Sequence, residues 1–515
     1  MMKRLLPLAI ILVSLISGCG INPVTGEREL NLVSEQKEIS IGKEQYLATQ
    51  QMQGGEYTID RELSVYVNSV GQRISAVSDR PLPYEFTVIN NSVPNAWALP
   101  GGKIAVNRGL LLELDNEAEL AAVLSHEIIH AAARHGAKSM ERGILLQGAV
   151  LATGIAVGGS DYSQLAIGGA SLAAGLITHK HSRDAEKEAD FYGMKYMSRA
   201  GYAPHAAVTL QEKFVRLAEN RNESWLNGLF ASHPPSQERV DANRETTRQL
   251  PLTGDLGRER YQQKIAHIKK TEKAYAEYEK GRKALQEKNY TSANSLATRA
   301  IEIEPREAQF YGLQGDIHFE QKKFPRALTL YDTAIQYNNS FFLFYVQRGL
   351  TQRILGNSSG AERDLKSSIE LLPTATAYNA LGEVSLANGQ RIEAKNYFTA
   401  AATSGSESGR QALSSFIKLD LPDNPQTYIH TAAARDSNGG VRIKIKNTSP
   451  FTVTGITILA RYVDAAGKTQ QARSSFTDTL TAGQESYLPI TATSFLTDEK
   501  DLRQLDVLSA RIAEN

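Results

Sequence analysis

At 515 residues the chain is too long for one hydrophobic core and calls for two to four domains. Its 41% hydrophobic and 22% charged residues, with 17 prolines, exclude wholesale disorder, a collagen-like chain and a multi-span membrane protein. Lys+Arg at 57 against Asp+Glu at 56 leaves a formal charge of +1 and no electrostatic case for nucleic acid, and the single cysteine, Cys19, excludes an internal disulfide or a cysteine-based zinc site.

Lys3 and Arg4 precede an uncharged apolar run from Leu5 to Ile16, followed by Ser17-Gly18-Cys19. A basic start, a run shorter than the roughly 20 residues of a membrane span, and small residues before the cut predict a secretory signal over 1–18. Ile16-Ser17-Gly18-Cys19 resembles a bacterial lipobox, which implies lipidation of Cys19. Gly20 behind the cysteine resembles default sorting in enterobacterial lipoproteins, which implies a lipid anchor on the periplasmic side of the outer membrane.

Residues 22–250 read as one mixed segment, within a domain placed at 19–250. Helical periodicity runs from Glu35 to Thr49 and from Arg61 to Val77. Short β-type runs follow the Pro81/Pro83 and Pro100-Gly101-Gly102 punctuation, at Tyr84 to Ile89 and Lys103 to Val106. A strong helix is predicted from about Asn116 to Ala137, with Asn116 as N-cap and Glu119 completing a capping box. Residues 144–178, Ala/Gly-rich with one charge at Asp161, are expected to be buried or membrane-grazing rather than spanning.

Within the long helix, His126-Glu127-Ile128-Ile129-His130 sets two imidazoles one turn apart on one face, able to share one Zn2+. Glu127 is rotated about 100° from His126 and can serve as general base toward the attacking water. Three ionisable groups on an otherwise apolar helix need a partner, which a metal supplies. A third ligand is required. His135 is one residue short of the metzincin spacing, whose glycine place is held by Ala133. In Ser182-Arg-Asp-Ala-Glu-Lys-Glu-Ala-Asp190, Glu186 and Asp190 are i, i+4 neighbours, so one can ligate while the other bonds the free nitrogen of a ligand histidine; Glu188 is the runner-up ligand. His179 and His181 read as polar residues at a helix entrance.

From residue 275 long amphipathic helices carry a period: glycines at 281, 315, 349 and 382 and alanines at 293, 327, 361 and 394, spaced 34, 34 and 33. Four beyond each alanine stand Ala297, Tyr331, Leu365 and Phe398. This resembles the tetratricopeptide repeat, with about four units over 258–405, an α-solenoid whose concave face suits a protein partner. After Asp420-Leu-Pro-Asp-Asn-Pro425, Val441 to Lys446 alternates with period two. Thr452 to Tyr462 and Ser486 to Thr491 read as further strands, with a hairpin-like turn at Ala465-Ala-Gly467. A small β-sandwich is predicted over 425–515.

HEIIH followed by SRDAEKEAD resembles the zinc peptidase family that holds the CAAX prenyl proteases and the HtpX heat-shock peptidase. With Asn22-Pro-Val-Thr-Gly26 and the repeats, the chain is most similar to that family's periplasmic BepA-like lipoprotein members; the C-terminal sandwich departs from them. The resemblance implies a mainly α, zincin-type metallopeptidase domain with a small β element. It implies one Zn2+ on His126, His130 and Glu186, Glu127 as base, Asp190 in support, and Ala96 to Leu99 as an edge strand on which substrate backbone pairs. Ser232-His-Pro-Pro-Ser236 resembles the His-Pro segment of the same group, which implies that His233 approaches the metal and shuts the site, with Arg239 near the cleft; the same residues also suit a capped turn. The implied activity is endoproteolysis of unfolded or misassembled envelope proteins, with outer-membrane assembly machinery as a partner of the repeats. The alternative is a chaperone or assembly scaffold that rarely cuts.

Overall fold

The computed structural model describes residues 19–142, 181–219, 228–435, 440–464, 466–490 and 498–513. The predicted signal over 1–18 and the stretch 144–178 lie outside the described residues. Two compact units emerge: Met1–Leu355 with Glu370–Leu372, and Gly356–Ile369 with Pro373–Asn515. No described helix is long and apolar enough to cross a membrane.

The first unit opens with a short antiparallel hairpin, β1 (Cys19–Ile21) and β2 (Arg28–Leu30). Two helices follow. Glu35–Met52 is capped by the Ser34 hydroxyl, and Arg61–Ser75 by Asp60; Leu63, Val67, Val70 and Ile74 form the buried stripe of the second. Strands β3 (Glu85–Ile89), β4 (Ala96–Leu99) and β5 (Lys103–Asn107) form one sheet in the order β3-β5-β4. β5 is central and buried throughout, parallel to β3 and antiparallel to β4. β4 is therefore an edge strand, beside the helix that carries the two histidines.

That active-site helix spans Glu117–Ala132. Asn116 Oδ1 accepts from Glu119 N at 3.0 Å as predicted, but the reciprocal half of the box differs: Glu119 Oε2 accepts from Asp115 N at 2.8 Å, one residue further out. The predicted continuation to Ala137 is also broken. Arg134 adopts φ 63°, the left-handed region, and helix resumes at 135. The break is held by polar contacts that a periodicity reading cannot see. Arg134 bonds Glu38, Glu29, Glu141 and the Val33 carbonyl, Arg80 Nη1 caps the Ala131 carbonyl, and Asn22 Nδ2 caps that of Ala133. Asn22 of the opening hairpin and Arg80 thereby satisfy carbonyls that the end of the helix would leave orphaned.

A second functional helix, Arg183–Arg199, starts at Ser182, whose hydroxyl accepts from Ala185 N. Beyond Arg258–Lys264 helices follow at the predicted period: in the first unit Ala266–Gln286 pairs with Tyr290–Ile303 and Ala308–Glu320 with Phe324–Tyr337, followed by Phe342–Ile354; in the second, Ser358–Leu371 precedes the pair Ala375–Ala387 and Arg391–Ala402. The second unit ends, after Glu407–Asp420, in two three-stranded antiparallel sheets. One has the order β10 (Glu485–Pro489), β7 (Val441–Asn447), β6 (Ile429–Arg435). The other has β11 (Leu502–Ile512), β8 (Val453–Val463), β9 (Thr469–Phe476). Ile443 and Ile445 of the first sheet share an apolar cluster with Ile456, Ile458 and Val507 of the second.

Candidate metal centre

The active-site helix is apolar almost all round and buried, so its charged groups face one another rather than water. His126 and His130 bring their Nε2 atoms to 3.0 Å. From the facing helix, Glu186 places Oε2 at 3.5 Å from His126 Nε2 and Oε1 at 3.4 Å from His130 Nε2. The fourth member arrives from a short helix, Leu229–Ser232, whose Leu229 N–H bonds the Pro94 carbonyl at the approach to β4. His233 follows it, with Nδ1 at 3.2 Å from His126 Nε2 and 3.0 Å from Glu186 Oε1. One atom from each of the four residues lies within 4.8 Å of every other.

These separations can be tested against a metal. Four N/O donors at about 2.0–2.1 Å in a tetrahedron stand about 3.3–3.4 Å apart, and the observed spacings cluster around that figure. One oxygen supplies a second test. Arg239 Nη1 forms an ion pair with Glu186 Oε2 at 2.8 Å, yet this buried oxygen accepts no hydrogen bond. A buried carboxylate oxygen with a free lone pair, facing imidazole nitrogens, fits a cation. The donor set has the composition and spacing of a Zn2+ site.

The surrounding polar groups are ordered by this cluster. Asp190 Oδ1 lies 2.9 Å from His126 Nδ1, and Arg239 grips Asp190 through Nε (2.7 Å) and Nη2 (2.8 Å). Burial opposes ionisation of Asp190, but Arg239 and His126 together outweigh it and hold the carboxyl below its usual range. Burial likewise opposes ionisation of Glu186, and the His233 and His126 imidazoles hold it well below. For His126, burial pulls downward, while Glu186 and Asp190 raise it to about 10. His130 goes the other way, kept well below its usual value by burial and by His181. Burial raises the Glu127 carboxyl, and His233 Nε2 stands 3.6 Å from its Oε1.

Glu188 stands outside the group, 3.2 Å from His135 Nε2, and His135 in turn contacts the back of His130. His181 lies flat on the His130 ring, centroids 3.9 Å apart and planes 27° apart, a packing role beyond the helix-entrance position the sequence suggested. The His135 contact escapes spacing rules because the break at Arg134 redirects the chain between the two histidines. A cleft beside His126 and Glu127 is lined by Val123, Met194, Leu210, Phe214 and Leu229.

Comparison with known proteins gives two family matches: Peptidase family M48 over residues 62–247 and the tetratricopeptide repeat over 278–340. The chain is 26% identical over 324 residues to the Beta-barrel assembly-enhancing protease of Escherichia coli, covering 56% of this chain and 66% of that one. A relative in Vibrio cholerae is 34% identical over 202 residues, 37% of this chain but only 40% of its own length. Metalloprotease YcaL of Escherichia coli is 31% identical over 189 residues, 36% of this chain and 68% of that protein. All four donors, from His126 to His233, fall inside the matched span, and a metalloprotease is matched over more than two thirds of its length; the chain belongs to peptidase family M48.

Proposed function

We propose that the protein is a zinc endopeptidase, lipid-anchored through Cys19 at the periplasmic face of the outer membrane. It acts on unfolded or misassembled envelope proteins during β-barrel assembly or quality control. The observation that carries the reading is the group of buried His130, Glu186 and His233 with half-buried His126 at metal-ligand spacing, with Glu127 beside it. The name of the Escherichia coli relative, a β-barrel assembly-enhancing protease, and the lipobox-like tetrad before Cys19 support the setting. The domain plan proposed is peptidase over 19–250, repeats over 258–405 and a β-sandwich over 425–515.

His126, His130 and Glu186 are the ligands in this reading, with Asp190, clamped by Arg239, orienting His126. Bound zinc supplies Lewis acidity to the scissile carbonyl and to the attacking water. Glu127, its carboxyl raised by burial, takes the proton of that water and returns it to the leaving amine. β4 offers its free edge to pair with an extended substrate. With zinc held by His126, His130 and Glu186, His233 would take the place that substrate or water needs, and the resting site would be latched.

The test is casein digestion by the whole chain and two variants, with zinc content measured in parallel. Glu127→Gln should keep zinc and lose at least about a hundredfold in rate. Chelation should silence the parent, and His233→Ala should cut faster than the parent. Equal digestion by Glu127→Gln and the parent would remove the peptidase reading and leave the repeats' scaffold role.

A further inference from the structure

We propose that Glu188 and His135 form a two-step hydrogen-bond relay that fixes the ring tautomer of His130, making both positioning residues for the metal site. The inference rests on the metal-site reading above. A histidine that ligates through Nε2 must carry its proton on Nδ1. For His126 this is arranged directly, because Asp190, held ionised by Arg239, only accepts and stands 2.9 Å from Nδ1. His130 has no carboxylate at that place. Its Nδ1 faces another imidazole nitrogen, His135 Nδ1, at 2.8 Å.

Two neutral imidazoles meeting Nδ1 to Nδ1 share one proton between those atoms. If His135 supplies it, His130 carries its own proton on Nε2 and presents no lone pair to a metal. If His130 supplies it, Nε2 is free. The choice is made at the far side of the second ring. His135 Nε2 lies 3.2 Å from Glu188 Oε1, and a carboxylate accepts only, so the His135 proton belongs on Nε2. His135 Nδ1 is then the acceptor and His130 Nδ1–H the donor. Each ring keeps one proton and none is transferred.

Burial makes this arrangement selective. His130 and His135 are 3% and 5% exposed, so water cannot readily replace either ring as a partner, and His181 stacked on His130 restrains its rotation. The left-handed turn at Arg134 is what swings His135 onto the back of His130. His135, which fails as a ligand on spacing, and Glu188, the runner-up ligand, thus meet each other on the side of His130 opposite the donor group.

The experiment is a zinc titration of the full chain from residue 20 against a chromophoric competing chelator, with melting of each variant in excess chelator as a folding check. His135→Phe removes the acceptor and should weaken zinc about ten- to hundredfold, while His135→Asn, which offers an amide oxygen to His130 Nδ1–H, should recover most of that loss. Glu188→Lys places a donor at the far end and should favour the wrong tautomer, weakening zinc about tenfold. Glu188→Ala should weaken it less, because the Glu188 side chain is 24% exposed and water can take the acceptor's place. Parent-like affinity in His135→Phe, or Glu188→Lys binding as tightly as Glu188→Ala, overturns the relay. Should His135→Phe fail to fold, the Glu188 pair decides. Loss of zinc in His126→Ala tests the underlying reading separately; a parent that binds no zinc removes both.

Discussion

Asp190 is the residue on which the polar order around the metal group converges, because one carboxylate accepts from both His126 and Arg239. His126, Glu127 and His130 were legible in the sequence because helical spacing fixes which side chains share a face, and Glu186 with Asp190 by the same rule. The bidentate grip of Arg239 and the His135 contact were not, since each needs two segments that only the tertiary fold brings together. Residue-scale electrostatics also acts away from the site. Asp316, in the repeats, accepts from the Tyr331 hydroxyl at 2.8 Å. Burial pushes its carboxyl up to about 7; the Tyr331 bond and Arg282 oppose the shift and Glu320 adds to it. The unfolded chain ionises this group from an ordinary value of 3.8, whereas the folded chain keeps it protonated to about 7. Between those values the unfolded state binds fewer protons, so this group's contribution falls as pH rises and levels off above about 7. Asp316→Asn resembles the protonated form. It should match the parent in urea unfolding near pH 4 and exceed it by about 1–2 kcal/mol at pH 8. An equal difference at both pH values would contradict the assignment.

At the scale of elements, the repeat period was readable because it records close helix contacts. A Cβ built on Gly315 would stand 2.5 Å from Tyr331 Cε1, and one on Gly382 would stand 2.5 Å from Phe398 Cε1. In both pairs the large residue lies four beyond the repeat alanine, so glycine and ring are one packing unit. Gly382→Ala should cost about 1–3 kcal/mol from overpacking, against a gain of about 1 kcal/mol in helix propensity. Phe398→Leu removes the obstructing ring, so the two changes together should cost less than their sum by at least about 0.5 kcal/mol in urea unfolding. Strict additivity would show that the ring does not set the glycine. The C-terminal strands were legible only where alternation survives. β7 buries Val441, Ile443, Ile445 and Asn447 in perfect alternation and was readable. β11 pairs with β8 through register shifts at Leu502/Gln504, Val507/Ser509 and Ser509/Arg511, which destroy the period-two pattern. β9 is an edge strand that buries only Ala472 and Ser474, so it offers too few apolar residues to be recognised.

Across the first unit, the change of sequence pattern near 250–258 is not matched by a change of core. One buried apolar cluster runs from Val24 through the active-site helix to Tyr261, Ile268, Tyr275 and Phe310. Polar contacts reinforce it. Arg108, 1% exposed, stacks over the Tyr275 ring at 3.4 Å, and Glu307 accepts from both Tyr275 Oη (2.6 Å) and Asn90 Nδ2 (3.0 Å). Gln51 bonds the Ser340 carbonyl and the Phe342 N–H, each at 2.8 Å. Separating the repeats from the peptidase segment would expose those rings and leave Arg108 and Glu307 without their partners, a loss of several kcal/mol. The chain between them is nonetheless open to attack, because Pro251–Gly254 is exposed and Leu252 is 78% accessible. Limited proteolysis of the whole protein should therefore nick this loop early, and the two pieces should still elute together in native gel filtration. Glu307→Ala should loosen the nicked complex, since it removes the acceptor shared by Tyr275 and Asn90. Release of a free, folded peptidase piece ending near residue 250 would show that the core is divisible at that point and that the repeats are a separable appendage.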